Sequence, residues 1–286
     1  MLKLIFYTLT LLIVSAFSFK DAPSFYESGM KHLQNQNFVS AIADFTHAIS
    51  INPSYREAYY QRAKAKLFLG EELKVTIKDI FHDLLKAKEL GEVDAIKLLL
   101  KKAQMECYTI KARIKAQDEI FCLDYENANL TKMPNMPSKL YSLLSLHLNC
   151  NKIRLLGTLN FLPNLLILNI ANNQLSSLPI SIGELPSLVE LNASSNNIRS
   201  MPIEITKLKH LKALYLRDNE LEGLPTNIDS LKSLEVLDLS LNKLKKIPIS
   251  LFKIKGLKRL YLSGNELKEA DIDTLRQQLA NTVVYF

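Results

Sequence analysis

The chain has 286 residues and a hydrophobic content of 48%, which allows a large core and favours one to three domains. Its 36 basic and 29 acidic residues give a net charge of +7, which is spread over both halves of the chain. Because no basic run resembles a nucleic-acid patch, the composition predicts a soluble basic protein without a nucleic-acid partner.

Residues 1–18 have the pattern of an export signal. Lys3 supplies a positive start, residues 4–19 are uncharged and largely apolar, and Val14-Ser15-Ala16 offers a cleavage site. This apolar run is shorter than the about 20 residues needed to span a bilayer. We therefore predict a cleaved signal peptide and an exported protein, in the periplasm, at the cell surface or secreted. A retained N-terminal anchor and a buried helix stay open, and the leader would be the chain's only contact with a membrane.

Residues 22–118 have a helical pattern, in which small and aromatic residues recur at fixed positions: Phe25, Gly29, Ala41, Phe45, Ala48 and Pro53. This spacing resembles the tetratricopeptide repeat, a 34-residue helix pair. In that pattern the small residues let two helices approach, Phe45 fills the groove between them, and Pro53 ends the second helix. A less regular pair follows from Tyr59, and one or two basic helices follow over 94–117. The resemblance implies either a peptide-binding groove or, as we prefer, a spacer.

A different period begins near Ile120, where asparagines recur every 22 or 23 residues: Asn151, Asn173, Asn196, Asn219, Asn242 and Asn265. Each follows a Leu-x-x-Leu-x-Leu pattern, whose alternation predicts a short strand with its leucines inward. The asparagine amide can satisfy backbone groups where the chain turns out of the strand. The second half of each coil carries a proline and an apolar spacing of three, which predicts a helical or 3₁₀ turn on the outer side.

This pattern resembles the leucine-rich repeat family. The resemblance implies an α/β solenoid over 120–286, a horseshoe with a parallel sheet on its concave face, preceded by the all-α tetratricopeptide-like module. A degraded coil at 120–130 would cap one end. A short helix over 271–279 and a strand over 283–286 would cap the other. With the leader, the 23-residue form favours a bacterial envelope or secreted protein.

Residues that alternate with the strand leucines should point outward on the concave face. The candidates for partner binding are Asp124, Glu126, His147, Asn149, Asn169, Glu190, Asn192, Tyr215, Arg217, Asp238, Arg259 and Tyr261. The face is acidic at one end and aromatic and basic at the other, and Tyr and Arg are the types enriched at binding hot spots. We therefore predict a non-enzymatic protein that binds a protein partner on this face. A structural envelope scaffold without a ligand stays open as an alternative.

No residue set for catalysis, metal or cofactor is recognisable in the sequence. The five histidines have no metal-ligand spacing, and the eight glycines form no phosphate loop. His147 near Asp124 reads better as a lone surface histidine than as part of a catalytic set. We therefore predict no enzymatic activity and no cofactor, with an enzyme site at the domain junction as the least favoured alternative.

Three cysteines, Cys107, Cys122 and Cys150, are an odd number for an exported protein. Cys122 and Cys150 should lie on neighbouring strands but five positions out of register. That offset is about 16 Å, which is too far for a bridge. A Cys107–Cys122 bridge at the domain junction stays open, although the absence of any bridge is slightly preferred.

Overall fold

In the computed structural model, the described residues are 21–69, 77–92, 94–95, 98–99, 108–109, 122–134, 136, 140–160 and 162–286. They form two compact units divided between Leu99 and Leu100. The leader predicted at 1–18 lies outside the described residues. Within these residues, no helix is long and apolar enough to cross a membrane.

Among the described residues 21–69 and 77–92, the first unit has four helices in succession: α1 (Ala22–Gln34), α2 (Phe38–Ile51), α3 (Arg56–Leu69) and α4 (Ile77–Glu89). Each packs against the next along the chain. The Asp21 side chain caps α1 by accepting from the Ser24 backbone N–H at 2.9 Å. Such caps satisfy N–H groups that the first helical turn leaves without intrahelical acceptors.

Gly29 of α1 lies against the ring of Phe45 of α2. A Cβ atom added at Gly29 would stand 2.7 Å from Phe45 Cε1, closer than carbon atoms approach. Phe45 and its neighbour Ala41 are fully buried, and Pro53 follows the end of α2. These are the packing roles that the sequence pattern predicted for these residues.

A buried ion cluster joins α3 to α4. Asp83 is 0% exposed, and its two carboxylate oxygens accept from Arg62 Nη2 at 2.6 Å and from Lys66 Nζ at 2.8 Å. Arg62 Nη1 also donates to Thr46 Oγ1 at 3.1 Å, which links α2 to the cluster. Because burying an unpaired charge is costly, these residues form one structural set.

The second unit is built on a parallel sheet, which within the described residues has nine strands in chain order. The strands are β1 (Tyr108–Thr109), β2 (Cys122–Asp124), β3 (Ser145–His147), β4 (Ile167–Asn169), β5 (Glu190–Asn192), β6 (Ala213–Tyr215), β7 (Val236–Asp238), β8 (Arg259–Tyr261) and β9 (Val283–Tyr285). Leu146 pairs in register with Leu168, which pairs with Leu191, so the central leucines form a buried column. No single coil could bury these leucines, and stacking buries them jointly.

Among the described residues, four 3₁₀ helices form the opposite side of the coils: Ile180–Glu184, Ile203–Lys207, Ile228–Ser230 and Ile249–Lys253. Pro179, Pro202 and Pro248 immediately precede three of them in extended conformation. This confirms the predicted turn and the predicted place of the prolines. We call this side the convex face, and the solvent-facing side of the sheet the concave face.

The asparagine ladder has the predicted role. Asn196 Nδ2 donates to the carbonyls of Ala193 at 3.1 Å and Ile170 at 3.1 Å, and its Oδ1 accepts from the Leu175 N–H at 3.0 Å. Asn151, Asn173, Asn219, Asn242 and Asn265 also accept a backbone N–H from the preceding coil and donate to two or more carbonyls. Each side chain therefore ties its own turn to the coil before it.

The residue before each ladder asparagine has a left-handed backbone. Cys150, Asn172, Ser195, Asp218, Leu241 and Gly264 all have φ between 53° and 71° in this slot. Gly and Asn tolerate this conformation, whereas a branched apolar side chain is strained by it. Leu241 has φ 54° and is 44% exposed, so it is the poorest fit among these residues.

Two predictions fail at the start of this unit. Tyr108–Thr109, expected within a helix over 94–117, is a strand that pairs in parallel with Leu123 and Asp124 at the edge of the sheet. Cys122 is disulfide-bonded, so the preference for no bridge is wrong. Cys107, the partner that the sequence offered, lies outside the described residues, and Cys150 is a free thiol as expected.

At the other end, helix α5 (Glu269–Gln278) and strand β9 occupy the segments predicted as the C-terminal cap. Val284 of β9 pairs with Leu260 of β8 and packs against the solenoid core. Strand β9 thus caps the core at its last coil.

Candidate functional site

The strand register arranges the outward residues of the concave face in two rows. The first row is Cys122, Ser145, Ile167, Glu190, Ala213, Val236, Arg259 and Val283. The second row is Asp124, His147, Asn169, Asn192, Tyr215, Asp238, Tyr261 and Tyr285. Glu126, Asn149 and Arg217 come two residues after the second row.

Four predicted binding residues in the second row serve the backbone of their own coil. Asp124 Oδ1 accepts from the Glu126 N–H at 2.9 Å, and Asp238 Oδ1 accepts from the Ser240 N–H at 2.9 Å. Asn169 and Asn192 accept in the same way from the N–H two residues ahead, at 3.2 and 3.1 Å. These contacts are Asx turns, which shape the exit from the strand. The polar character of this row therefore reflects folding as well as exposure.

His147 is engaged by the fold. Its Nε2 lies 2.8 Å from Ser145 Oγ, and burial lowers the pKa of His147, an effect opposed by the nearby Asp124 and Glu126 carboxylates. Ser145 is 0% exposed, so its hydroxyl cannot meet a substrate. The Ser–His contact is thus structural. Asn149 is only 9% exposed, which leaves Glu126 as the open side chain at this end of the face.

The opposite end of the concave face is aromatic. Tyr215 and Tyr261 lie in the second row on either side of Asp238. Tyr285 continues the row, and its ring stacks on that of Tyr261 with centroids 4.4 Å apart and planes 5° apart. Tyr285 is 43% exposed. The sequence predicted its strand but not its place on the face, because β9 lacks the leucine pattern.

Two exposed arginines accompany the tyrosines. Arg217 follows Tyr215, and Arg259 stands in the first row between Val236 and Val283. Neither arginine forms an ion pair within the part of the chain that the structure describes. We name Tyr215, Arg217, Arg259, Tyr261 and Tyr285 the concave patch.

Burial affects the ionisation of two groups beside the patch. Burial raises the pKa of Tyr215, and the Glu190 carboxylate adds to this effect while Arg259 opposes it. Burial also raises the pKa of Glu190 itself. Both shifts favour the neutral form of the side chain, because burial penalises the charged form.

The described residues contain no group of His, Cys, Asp or Glu side chains placed to hold a metal ion.

Residues 209–267 match the family model of the leucine rich repeat. The match spans β6 to β8, where the repeat pattern, asparagine ladder and parallel sheet coincide. Leucine-rich repeats generally act in protein–protein interaction and are generally without enzymatic activity. This part of the chain is thus similar to the leucine-rich repeat family, as the sequence resemblance predicted.

Many solved structures are similar to this chain, and two of them serve as examples. One is a leucine-rich repeat protein of Leptospira interrogans, with 30% identity and a TM-score of 0.47, where the match covers 59% of this chain and 48% of that one. The other is an internalin of Listeria monocytogenes, with 24% identity and a TM-score of 0.47, covering 51% and 42%. The chain thus matches less than half the length of either protein. No curated protein matches the sequence.

Proposed function

We propose that this chain is an exported, non-enzymatic protein that binds a protein partner through the concave patch. The observation that carries the proposal is the tyrosine row, in which Tyr215, Tyr261 and Tyr285 share one line of the sheet. Tyrosine buries a large apolar ring and keeps a polar tip, at the cost of fixing few torsions.

The arginines strengthen this choice of surface. Arg217 and Arg259 are exposed beside the tyrosines, and the guanidinium fork can bind a partner carboxylate with two hydrogen bonds. The sheet beneath them is rigid before binding, because its leucines and ladder asparagines are already packed and hydrogen-bonded. A pre-shaped surface loses little entropy on association, so modest contacts give useful affinity.

The acidic end of the concave face contributes less to the proposed binding. Asp124 and Asp238 are held by backbone N–H groups, and His147 is held by Ser145. Of the twelve predicted residues, we therefore propose Tyr215, Arg217, Arg259 and Tyr261 as the main binding residues, together with Tyr285.

We also propose that the helices of the first unit form a tetratricopeptide-like module that acts as a spacer, and that residues 1–18 are a cleaved export signal. The Gly29–Phe45 contact and the position of Pro53 support the repeat. Export rests on the leader pattern, which N-terminal sequencing of the protein recovered from cell fractions would test.

The binding proposal is tested by immobilising the chain, identifying a protein captured from envelope or host extracts, and measuring its affinity for variants. Tyr215→Ala/Tyr261→Ala should weaken binding by at least 100-fold, since hot-spot truncations cost about 2 kcal/mol or more each. Tyr141→Ala, which removes a tyrosine that is 59% exposed outside the patch, is the matched control. Unchanged affinity in a correctly folded double variant would refute the proposal.

A further inference from the structure

The convex face carries a row of exposed isoleucines. Ile180, Ile203 and Ile249 are 68%, 56% and 75% exposed, and each directly follows the proline that precedes a 3₁₀ helix. They occupy one position of the coil, where the intervening coil has Thr226. The solenoid core is formed by other side chains, so folding does not explain this row. An exposed apolar row without a role in the core is a candidate binding surface.

A row of lysines follows three of the 3₁₀ helices, two residues after the end of each. Lys209, Lys232 and Lys255 are all exposed and stand 23 residues apart, at one position of three successive coils. Since paired strands stack about 4.8 Å apart, these cations are neighbours in space although they are distant in the sequence. Lys207 and Lys253 add two charges, and they belong to the same 3₁₀ helices as two of the isoleucines.

The charge of this surface is positive after its carboxylates are counted. The four convex segments 180–186, 203–209, 226–232 and 249–255 hold five lysines and three acidic residues, Glu184, Glu204 and Asp229. Glu184 is exposed. Glu204 is half-buried, and Asp229 lies 3.8 Å from Lys232. A linear search for basic runs misses the surface, because the lysines are separated by whole coils.

The combination of apolar and cationic rows restricts the chemical class of ligand that this surface can bind. A nucleic acid would pair with the lysines but leave the isoleucines in water, and these segments expose no aromatic or arginine side chain for stacking on bases. An anionic bilayer offers phosphate groups to the lysines and, about 5–10 Å deeper, an apolar phase to the isoleucines. We propose that the convex face binds the surface of an anionic lipid bilayer.

The convex face is separate from the concave patch and lies on the other side of the coil. Bilayer binding by this face changes the sequence-based expectation that the leader is the only membrane contact. The lysines set the preference for anionic lipid, and the isoleucines set the preference for a bilayer over a soluble polyanion.

The test compares full-length variants for partition onto phosphatidylcholine vesicles with and without phosphatidylglycerol. Residues 1–20 are the same in every variant, so the ratio of anionic to neutral partition isolates the convex face. Lys209→Gln/Lys232→Gln/Lys255→Gln should lower this ratio about fivefold per lysine, roughly 100-fold in all. The control Lys245→Gln/Lys246→Gln/Lys268→Gln removes the same charge from exposed positions elsewhere and should lower it far less.

The isoleucines are tested by Ile203→Ser/Ile249→Ser, which should reduce binding to anionic vesicles at least tenfold, since each buried CH₂ contributes about 0.8 kcal/mol. Tyr141→Ser/Leu155→Ser, which removes other exposed apolar side chains, is the control. Amide hydrogen exchange of the bound chain should slow over 203–207 and 249–253. An equal loss of anionic partition in the two lysine variants would overturn the proposal, and so would unchanged hydrogen exchange in these segments. It would also be overturned if single-stranded DNA bound as tightly as the vesicles and its binding were unaffected by the isoleucine substitutions.

Discussion

Replacing one ladder asparagine should destabilise the solenoid by an amount that follows from its hydrogen bonds. Asn196 is 8% exposed, and its Oδ1 accepts from the Leu175 N–H, for which no second acceptor is found among the described residues. The carbonyls that it serves have other donors: Asn219 Nδ2 for Ala193 and Asn173 Nδ2 for Ile170. Asn196→Ala therefore leaves one buried N–H unpaired, which costs about 1–3 kcal/mol, and weakens the shared bonds by about 1 kcal/mol more.

Urea unfolding followed by far-UV circular dichroism would measure this loss, expected at about 2–4 kcal/mol. The two compact units can unfold separately, so the change should appear in the transition of the sheet-containing unit. Asn160→Ala, an exposed loop asparagine, is the control and should change stability by less than about 0.5 kcal/mol. The half-buried Asn265 should give an intermediate loss. Equal, small losses for Asn196 and Asn160 would refute this account of the ladder.

Three further changes have expected outcomes. Gly29→Ala should destabilise the helical unit by about 1–3 kcal/mol, because the new Cβ would overlap the Phe45 ring, as thermal unfolding would show. Leu241→Asn should stabilise the solenoid by about 1 kcal/mol in urea unfolding, because asparagine tolerates the left-handed backbone. Burial lowers the pKa of His147, so the unfolded state binds the proton at a higher pH than the folded state does. The free energy of unfolding should therefore fall as the pH drops below about 6.5, and His147→Gln should make this pH dependence weaker.

Each of these has a matched control. Gly223→Ala meets open space and should be neutral or slightly stabilising. Leu155→Asn changes an exposed leucine outside the left-handed slot and should give no gain. A proton NMR titration should place the His147 midpoint below the usual histidine range. An unchanged stability of Gly29→Ala would contradict the Gly29–Phe45 contact. An unchanged stability of Leu241→Asn would contradict the strain assigned to Leu241, and a His147 pKa in the usual histidine range would contradict the effect of burial on that side chain.

The repeat fold was predictable from the sequence because one spacing controls core, turn and register together. Leu146, Leu168 and Leu191 could be aligned by period alone, and the structure pairs them. The same period placed Tyr215 and Tyr261 on the concave face. A one-residue slip would have moved buried leucines to the solvent side, so the hydrophobic pattern fixes the register.

Features outside the period were harder to predict. The Asp83 cluster depends on where Arg62 and Lys66 of a neighbouring helix point, and no spacing signals it. The two-residue strand Tyr108–Thr109 is too short to show alternation, so it was predicted as helix. The bonds from Asp124 and Asp238 to nearby backbone N–H groups are local, but the outward position suggested binding residues instead. In each case the role of the residue depends on a contact in the folded structure that the sequence pattern does not show.

Both proposed surfaces depend on one claim, that coils of 23 residues stack in register and align side chains separated by whole coils. Pulsed electron paramagnetic resonance between spin labels at Arg154→Cys and Lys245→Cys, with the free thiol removed by Cys150→Ser, measures this directly. These positions are four coils apart, so the account predicts a narrow distance distribution near 20 Å, from about 4.8 Å per coil. Moving the first label to Arg199, two coils from Lys245, should halve the distance. A broad distribution, or a distance that does not scale with the number of coils, would contradict the account.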